Sequence, residues 1–354
     1  MAISTVHFAT NREEQFAADG TTVVGFSGHL NTKSPVWLRF GAADMTAPAT
    51  PSSLYGIAEL RVAPEQIPGV TTGRGGQVQL GSDTVFDGLR RRLIDDRADL
   101  LLILHGYGCD FANALSNAAE LKAKWSGRAK PLDTAIFSWP SEGTLVPYIS
   151  YVSDRDAARS SAKAVARALQ RFLFYIQQLK REDWCNANIH LVAHSMGNYV
   201  LRNALQAMLS DLGGKTLPRV FKTIFLMAAD EDNDAFEDPD KLARLPELAE
   251  AVQVYFSRVD GALTISDVTK GNPDRLGATG PRTLTSLPQK VTLVDCTDVS
   301  DTGSVTDARH QYYRKRAEVL ADVRQVIAGA APEAVTGRKW IPSRNCFWIK
   351  PSKP

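Results

Sequence analysis

Long apolar runs, paired cysteines and an excess of one charge are all missing from this sequence of 354 residues. No stretch approaches the roughly 20 apolar residues that a membrane-spanning helix needs. The first residues also lack the basic segment and the apolar segment of a secretory signal. We therefore expect a cytoplasmic protein with no stable membrane insertion.

Cysteine is scarce and dispersed along the chain. The four cysteines are Cys109, Cys185, Cys296 and Cys346, and no two of them form a C-x-x-C pair. A domain of this size builds its core without disulfides, so we expect free thiols in a reducing compartment.

The charges nearly cancel, with 41 Lys and Arg against 39 Asp and Glu and a net charge of +2. Such a balance gives no general field to attract nucleic acid or an anionic membrane. The hydrophobic fraction of 44% and the charged fraction of 23% are ordinary for a globular protein. We therefore expect a small or neutral ligand and no nucleic-acid partner. Nothing in the composition indicates an oligomeric state.

Short apolar runs alternate with helical patterns from residue 99 onward. Helical spacing of apolar residues covers 155–179, 198–209 and 312–327. Alternating strands and helices predict βαβ crossovers, and therefore an α/β fold with a mostly parallel sheet covered by helices on both faces. A ligand site is expected at the carboxyl ends of the strands. The predicted buried strands are 100–104, 134–137, 189–193, 223–227, 252–256 and 291–294.

The ends of the chain differ from this central pattern. Residues 1–90 contain Gly, Thr, Pro and short apolar runs such as 22–26 and 36–40, which favour strands and loops. We therefore predict a β-rich extension over 1–90, the main core over 91–330, and a packed arm or strand over 331–354.

A serine surrounded by small residues follows one of the predicted strands. A serine hydroxyl is a poor nucleophile unless a base takes its proton, and its oxygen must stand clear of the sheet on a sharp strand-turn-helix elbow. The flanking positions are Ala193 and Gly197, with Ala193 in place of the usual glycine. We predict that Ser195 is the nucleophile. The alternative is a serine that only caps the following helix.

The general base is predicted from chain order, because this fold type arranges its triad as Ser, then acid, then His. Of the six histidines, only His310 lies after Ser195. It follows a predicted strand and precedes a helical stretch; the alternative is an exposed histidine at a helix start. His190 and His194 are interpreted as packing residues of the strand and the elbow.

The acid should hold the tautomer of the histidine. Asp260 follows the predicted strand 252–256, which is expected nearest the histidine loop, and Asp230 follows the preceding strand. We favour Asp260 as the acid and keep Asp230 as the alternative. Weaker candidates on the loop of the histidine itself are Asp295, Asp298 and Asp301.

The oxyanion of an acyl-transfer reaction needs two preorganised N–H donors. Gly106 and Gly108 follow the first buried strand and let the loop approach a substrate. We predict that the backbone N–H groups of Tyr107 and Met196 are the donors. The alternative for this loop is an ordinary glycine turn.

Taken together, these motifs resemble the α/β-hydrolase superfamily, and more closely the bacterial group called domain of unknown function 900. The resemblance implies an α/β-hydrolase fold, a triad of Ser195, Asp260 and His310, and an N-terminal extension that belongs to the hydrolase. It implies no defined substrate. The matching segments are Phe8–Arg12, Leu54–Gly56, His105–Tyr107, Phe137–Ser141, Ala193–Asn198, Ala228–Asp230 and Ser257–Asp260.

Three other motifs fail at key positions. The acidic run 230–234 lacks the later Gly and Glu of a calcium loop, 214–216 lacks the first glycine of a phosphate loop, and 106–108 lacks the third glycine of a dinucleotide loop. The sequence therefore implies no metal and no cofactor.

The predicted function is a lipase-like serine esterase that acts on a small-molecule acyl substrate. The alternative is a binding or scaffold protein that keeps the fold without turnover. Segments 142–153, 231–250 and 262–288 interrupt the core pattern, and any of them could form a lid.

Overall fold

The chain divides into two compact units whose segments alternate along the sequence. The first comprises Met1–Ile103, Gly108–Lys122 and Pro131–Ala187, and the second comprises Leu104–Tyr107, Ala123–Lys130 and Asn188–Pro354. The predicted boundaries at residues 90 and 330 stay a prediction. The computed structural model describes residues 3–50, 53–64, 66–71, 78–128, 130–141, 147–179, 185–263, 274–285, 287–299 and 309–352.

The first unit combines antiparallel N-terminal strands with parallel ones. Its sheet has the order β8-β9-β1-β4-β5, and the pairs β2-β3 and β6-β7 form separate two-stranded sheets. Its described strands are β1 (Ile3–Thr10), β2 (Arg12–Phe16), β3 (Val23–Leu30), β4 (Arg39–Thr46), β5 (Gly56–Val62), β6 (Gln66–Thr71), β7 (Val78–Leu80), β8 (Asp99–Leu104, up to Ile103) and β9 (Leu132–Ser138). Its described helices are α1 (Gly81–Asp95), α2 (Phe111–Trp125, up to Lys122), α3 (Pro147–Ser160) and α4 (Ala162–Gln178).

The second unit has the strand order β10-β11-β12-β13-β15-β14. Strands β10 to β13 and β15 run parallel, and β14 pairs antiparallel with β15 at the edge. The described strands are β10 (Ile189–His194), β11 (Phe221–Met227), β12 (Ala249–Phe256), β13 (Val291–Asp295), β14 (Arg338–Ile341) and β15 (Cys346–Ile349). The described helices are α5 (Gly197–Asp211), α6 (Leu276–Thr279), α7 (Tyr312–Lys315) and α8 (Ala317–Ile327).

The predicted fold class is confirmed: in each unit, parallel strands combine with helices, and the N-terminal strands of the first unit are antiparallel. Strand β11 shows why, since Ile224 to Met227 are all fully buried. A strand that buries both faces reads as a continuous apolar run, which is typical of parallel sheets. In the part of the chain that the structure describes, no helix has both the length and the apolar character needed to cross a bilayer.

The first strand joins the sheet directly, which the sequence pattern does not predict. β1 runs parallel to β9, with His7 opposite Ala135, and antiparallel to β4. Val6, His7 and Phe8 are all buried, so both faces of β1 are covered. The N-terminal segment therefore contributes an interior strand of the first unit.

A buried arginine of the N-terminal segment explains part of the motif at residues 8–12. The Arg12 guanidinium donates to the Ser138 hydroxyl at 2.9 Å, the Ser27 carbonyl at 3.1 Å and the Cys109 carbonyl at 2.6 Å. Arg12 is fully buried, and a buried cation requires such hydrogen-bond partners. This side chain therefore ties β2 to β3, β9 and the loop before α2.

Two predicted helices are each divided into two. The pattern over 155–179 becomes α3 and α4, separated at Ser161, whose hydroxyl donates to the Ala157 carbonyl at 2.8 Å. Such a bond to the preceding turn bends helices. The pattern over 312–327 is interrupted at Arg316, where the backbone is extended with φ −90° and ψ 123°.

The run 36–40, for which the sequence favours strands and loops, contains both, because β4 begins at Arg39. The preceding residues form a turn in which the backbone N–H of Val36 donates to the Ser34 hydroxyl at 3.3 Å. Serine commonly makes such local bonds, which compete with strand pairing.

The C-terminal arm is a strand pair fastened by a buried ion pair. Arg338 of β14 donates to both carboxylate oxygens of Asp322 in α8, at 2.7 and 2.8 Å, and both side chains are almost fully buried. The Tyr255 hydroxyl of β12 donates to the same carboxylate at 2.5 Å. Burial and the neighbouring Asp322 carboxylate raise the pKa of Tyr255 well above its ordinary value, so its hydroxyl remains a donor.

We predict that Arg338→Ala lowers the free energy of unfolding by about 3–5 kcal/mol, because it leaves the Asp322 carboxylate buried without its bidentate partner. Urea denaturation measures this change. The control is Lys222→Ala, which removes an exposed pair with Glu250 and should cost at most about 1 kcal/mol. Equal effects of the two substitutions would contradict the assigned role of the buried pair.

Candidate active site

Ser195 occupies a sharp turn between β10 and α5, and its φ of +52° lies in the left-handed region. Residues other than glycine rarely adopt this backbone conformation, which costs of the order of 1–3 kcal/mol. The helix N-cap position belongs to Met196, so Ser195 does not act as the cap. The backbone therefore has the strained elbow geometry predicted for a nucleophile.

Backbone hydrogen bonds hold this turn from both sides. The N–H of Ser195 donates to the Met227 carbonyl at 3.0 Å, at the end of β11. The Ser195 carbonyl accepts the N–H of Asn198 at 3.0 Å and the N–H of Asp230 at 3.2 Å. The Asn198 side-chain amide also donates to the carbonyls of Ser195 and Ala193, each at 3.0 Å. The elbow is thus fixed to the neighbouring strand as well as to its own helix.

Close approach of backbone explains the small residues around the elbow. A Cβ atom added to Gly197 would lie 2.4 Å from the Leu104 carbonyl oxygen and 2.7 Å from that of His105. A Cβ atom added to Gly106 would lie 2.9 Å from the Cβ atom of Ser195. No side chain fits at Gly197 without displacing backbone, and the loop after β8 lies directly against the serine.

His310 and Asp260 form a buried acid–base pair. The Nδ1 atom of His310 lies 2.7 Å from a carboxylate oxygen of Asp260, and these residues are 7% and 1% exposed. Because a carboxylate accepts, Nδ1 carries the proton, and Nε2 of the neutral ring is left as the basic nitrogen. The other Asp260 oxygen accepts the backbone N–H groups of Ala262 and Leu263 at 3.1 and 3.2 Å. The pair is therefore oriented at the carboxyl end of β12.

Asp230, the alternative acid, has a different environment. Its carboxylate lies 3.5 Å from the Nε atom of Arg275, and both residues are buried. Its backbone N–H is one of the groups that donate to the Ser195 carbonyl. The structure therefore associates Asp230 with the elbow backbone.

The weaker acid candidates on the loop of the histidine also have other partners. The Asp295 carboxylate accepts from Arg344 at 2.7 Å, and that of Asp298 accepts from the Trp348 indole N–H at 2.7 Å. Asp301 lies outside the described residues. Both described aspartates thus contact the C-terminal segment.

The acidic run after β11 is neutralised by cations of the same chain. Lys241 binds Asp232 at 3.0 Å and also binds Asp234, while Arg275 binds Asp232 at 2.5 Å. Within the described ranges, no group of three His, Cys, Asp or Glu side chains is arranged to hold a metal ion. The buried cation Arg275 was not identified from the sequence, since it lies in a segment without helical or strand periodicity.

The predicted oxyanion donors belong to two segments next to the serine, the start of α5 and the loop after β8. Met196 follows Ser195 and is fully buried, and α5 begins at the next residue, Gly197. Tyr107 follows Gly106, which lies against the side chain of Ser195. A helix N-terminus carries a partial positive charge, which favours a developing negative charge nearby.

Parts of the predicted lid segments are described. Residues 231–250 contain a 3-10 helix at Leu245–Leu248, and Ala235, Leu242, Leu245 and Leu248 are almost fully buried. Residues 142–146, 264–273 and 286 lie outside the described residues. The lid stays a prediction.

We predict that Ser195→Gly is more stable than Ser195→Ala by about 1 kcal/mol, because glycine adopts a positive φ without strain and alanine does not. Thermal and urea denaturation of the two variants measure the difference. As a control, Ala321→Gly at an exposed position of α8 should lower stability by about 1 kcal/mol. A glycine variant at 195 that is less stable than the alanine variant would refute backbone strain at this position.

Comparison with known proteins identifies the family of this chain. Two solved structures share 11% identity with the chain: a candidate cell surface hydrolase from Lactobacillus plantarum and an uncharacterised protein from Pseudomonas aeruginosa. The first has a TM-score of 0.35 and covers 68% of this chain and 95% of its own; the second has a TM-score of 0.29 and covers 72% and 51%. No curated protein matches. Residues 84–329 match the family described as alpha/beta hydrolase of unknown function, and the chain belongs to this family.

Proposed function

We propose that this protein is a serine hydrolase that cleaves an ester-like acyl bond through an acyl-enzyme on Ser195. The observation that carries the proposal is the buried hydrogen bond of 2.7 Å between His310 Nδ1 and Asp260. It defines the basic nitrogen of the only histidine that follows the serine in the sequence. The strained elbow at Ser195 supports the same assignment, since strain of this kind is concentrated at functional sites.

In the proposed mechanism, Nε2 of His310 takes the proton of the Ser195 hydroxyl as its oxygen attacks the substrate carbonyl. Asp260 keeps the histidine in the required tautomer and stabilises the imidazolium that forms. His310 then gives the proton to the leaving alcohol, which departs as the carbon–oxygen bond breaks. Water, activated by the same nitrogen, releases the acid and restores Ser195.

The developing oxyanion would be held by the backbone N–H groups of Tyr107 and Met196. The position of Met196 at the start of α5 supports this role, because the helix N-terminus favours negative charge. The contact between Gly106 and Ser195 supports the placement of Tyr107 in the same role. These groups require no metal or cofactor.

We further propose that the substrate is a small molecule with an acyl ester bond of the kind that esterases and lipases cleave. We also propose that the protein acts in the cytoplasm. The near-zero net charge supports a neutral substrate more than a polyanionic one.

We expect a fluorophosphonate probe to label the wild-type chain covalently and Ser195→Ala to remain unlabelled, because the probe phosphonylates only an activated serine. Gel fluorescence and intact mass measure the adduct. Ser210→Ala, at an exposed position of α5, is the matched control and should label as the wild type does. A folded wild-type chain that takes no label would favour the binding or scaffold alternative.

Substitution of the two candidate acids should lower kcat to very different extents. Asp260→Asn should lower kcat by about 10³- to 10⁴-fold, because an amide no longer holds the required tautomer of His310. Asp230→Asn keeps the backbone N–H that binds Ser195, and its kcat should fall by less than tenfold. Steady-state hydrolysis of an activated ester measures both. A larger loss in Asp230→Asn would exchange the two roles.

A further inference from the structure

A second buried histidine contacts the proposed catalytic histidine. His194 is the last residue of β10 and immediately precedes Ser195. Its ring centroid lies 4.7 Å from that of His310, and on another side it stacks on Tyr313 with a centroid distance of 4.4 Å and an interplanar angle of 26°. The mechanism proposed above leaves this side chain without a role.

The hydrogen bond of His194 identifies its tautomer. Its Nε2 atom lies 3.3 Å from the backbone carbonyl oxygen of His310. A carbonyl oxygen only accepts, so Nε2 must carry the proton, and Nδ1 of the neutral ring is the bare nitrogen. A Cβ atom added to Gly106 would lie 3.0 Å from that Nδ1 atom. The His194 ring thus lies next to both the His310 backbone and Gly106 in the loop after β8.

The surroundings keep this ring neutral. Burial lowers the pKa of His194 well below its ordinary value of 6.5, and His310, when it is protonated, and Arg314 lower this pKa further. A neutral ring is what the site requires, because His310 becomes a cation during the proposed reaction and a second adjacent cation would oppose that charge.

The segment that follows His310 is held by two further hydrogen bonds. The Tyr313 carbonyl accepts the indole N–H of Trp125 at 3.1 Å, and both side chains are buried. The Tyr312 hydroxyl donates to the Tyr255 carbonyl at 3.0 Å, at the carboxyl end of β12. The segment that follows His310 is therefore anchored, and His194 connects it to the elbow.

We propose that His194 is a positioning residue whose Nε2–H holds the backbone of His310 and whose ring supports the His310 imidazole beside Ser195. The inference rests on the proposed function for its catalytic consequence. Its structural content, the bond from His194 to the His310 backbone, is independent of turnover.

Four substitutions at one position separate the donor from the ring. His194→Gln keeps an N–H donor at about the reach of Nε2, while His194→Asn carries the same amide on a shorter side chain. His194→Phe keeps the ring without the donor. We expect kcat for an activated ester to fall about tenfold in the Phe and Asn variants with KM unchanged, since one hydrogen bond of this kind contributes roughly a factor of ten. His194→Gln should retain kcat within about threefold, and His194→Leu, without ring or donor, should lose more than Phe.

A readout independent of activity accompanies the kinetics. In protein carrying ¹⁵N-labelled histidine, His194 should show a protonated Nε2 and a bare Nδ1 at neutral pH. The Nδ1 proton of His310, bonded to Asp260, should exchange slowly in the wild type and His194→Gln and faster in His194→Phe and His194→Asn. Thermal melts establish that each variant is folded, and the Gln and Asn pair keeps the comparison valid if the Phe ring is not accommodated.

The outcomes separate this inference from the proposed function. A wild-type chain that hydrolyses no ester, with a His310 Nδ1 proton that still responds to substitution of His194, would refute the proposed function and support the positioning role. An active chain whose kcat and His310 proton exchange are the same in all variants would overturn the positioning role. A protonated Nδ1 on His194 would overturn it as well.

Discussion

The left-handed backbone conformation of Ser195 is the constraint on which the rest of the site depends. An unfavourable φ persists only where surrounding bonds fix it, and here β11, α5 and the segment after β11 each contribute a hydrogen bond to the turn. The same geometry brings Gly197 so close to the carbonyls after β8 that a side chain has no room. One strained residue therefore determines which residue types its neighbours can be.

Buried charges are arranged so that each serves one purpose. Asp260 bonds the ring of His310, and Asp230 pairs with Arg275. Asp322 and Arg338 join α8 to the C-terminal strand pair. Burying an ion without a partner costs several kcal/mol, so each of these buried aspartates needs a partner. Asp230 and Asp322 are paired with arginines, whereas Asp260 is paired with the histidine. The different partners of Asp260 and Asp230 therefore distinguish the two candidate acids.

Much of the fold could be predicted from the sequence, and the candidate site residues were chosen from it. Continuous apolar runs predicted the parallel strands, and a small-residue turn between a strand and a helix predicted the position of Ser195. His310 followed from chain order alone. The sequence could not show that β1 joins the sheet beside β9, since pairing partners leave no local pattern, nor that His194 contacts His310, since that contact joins residues 116 positions apart. Arg275 was missed because its segment has no helical or strand periodicity, and its partners Asp230 and Asp232 are distant in sequence.

The most direct test of the central claim is detection of the acyl-enzyme itself. The wild-type chain is mixed with an excess of an activated ester, quenched in acid within milliseconds to seconds, and analysed by intact mass and peptide mapping. The account predicts one acyl group per chain, located on the peptide that contains Ser195. Hydrolysis with no trapped acyl group on that serine, or an acyl group on another side chain, would contradict it.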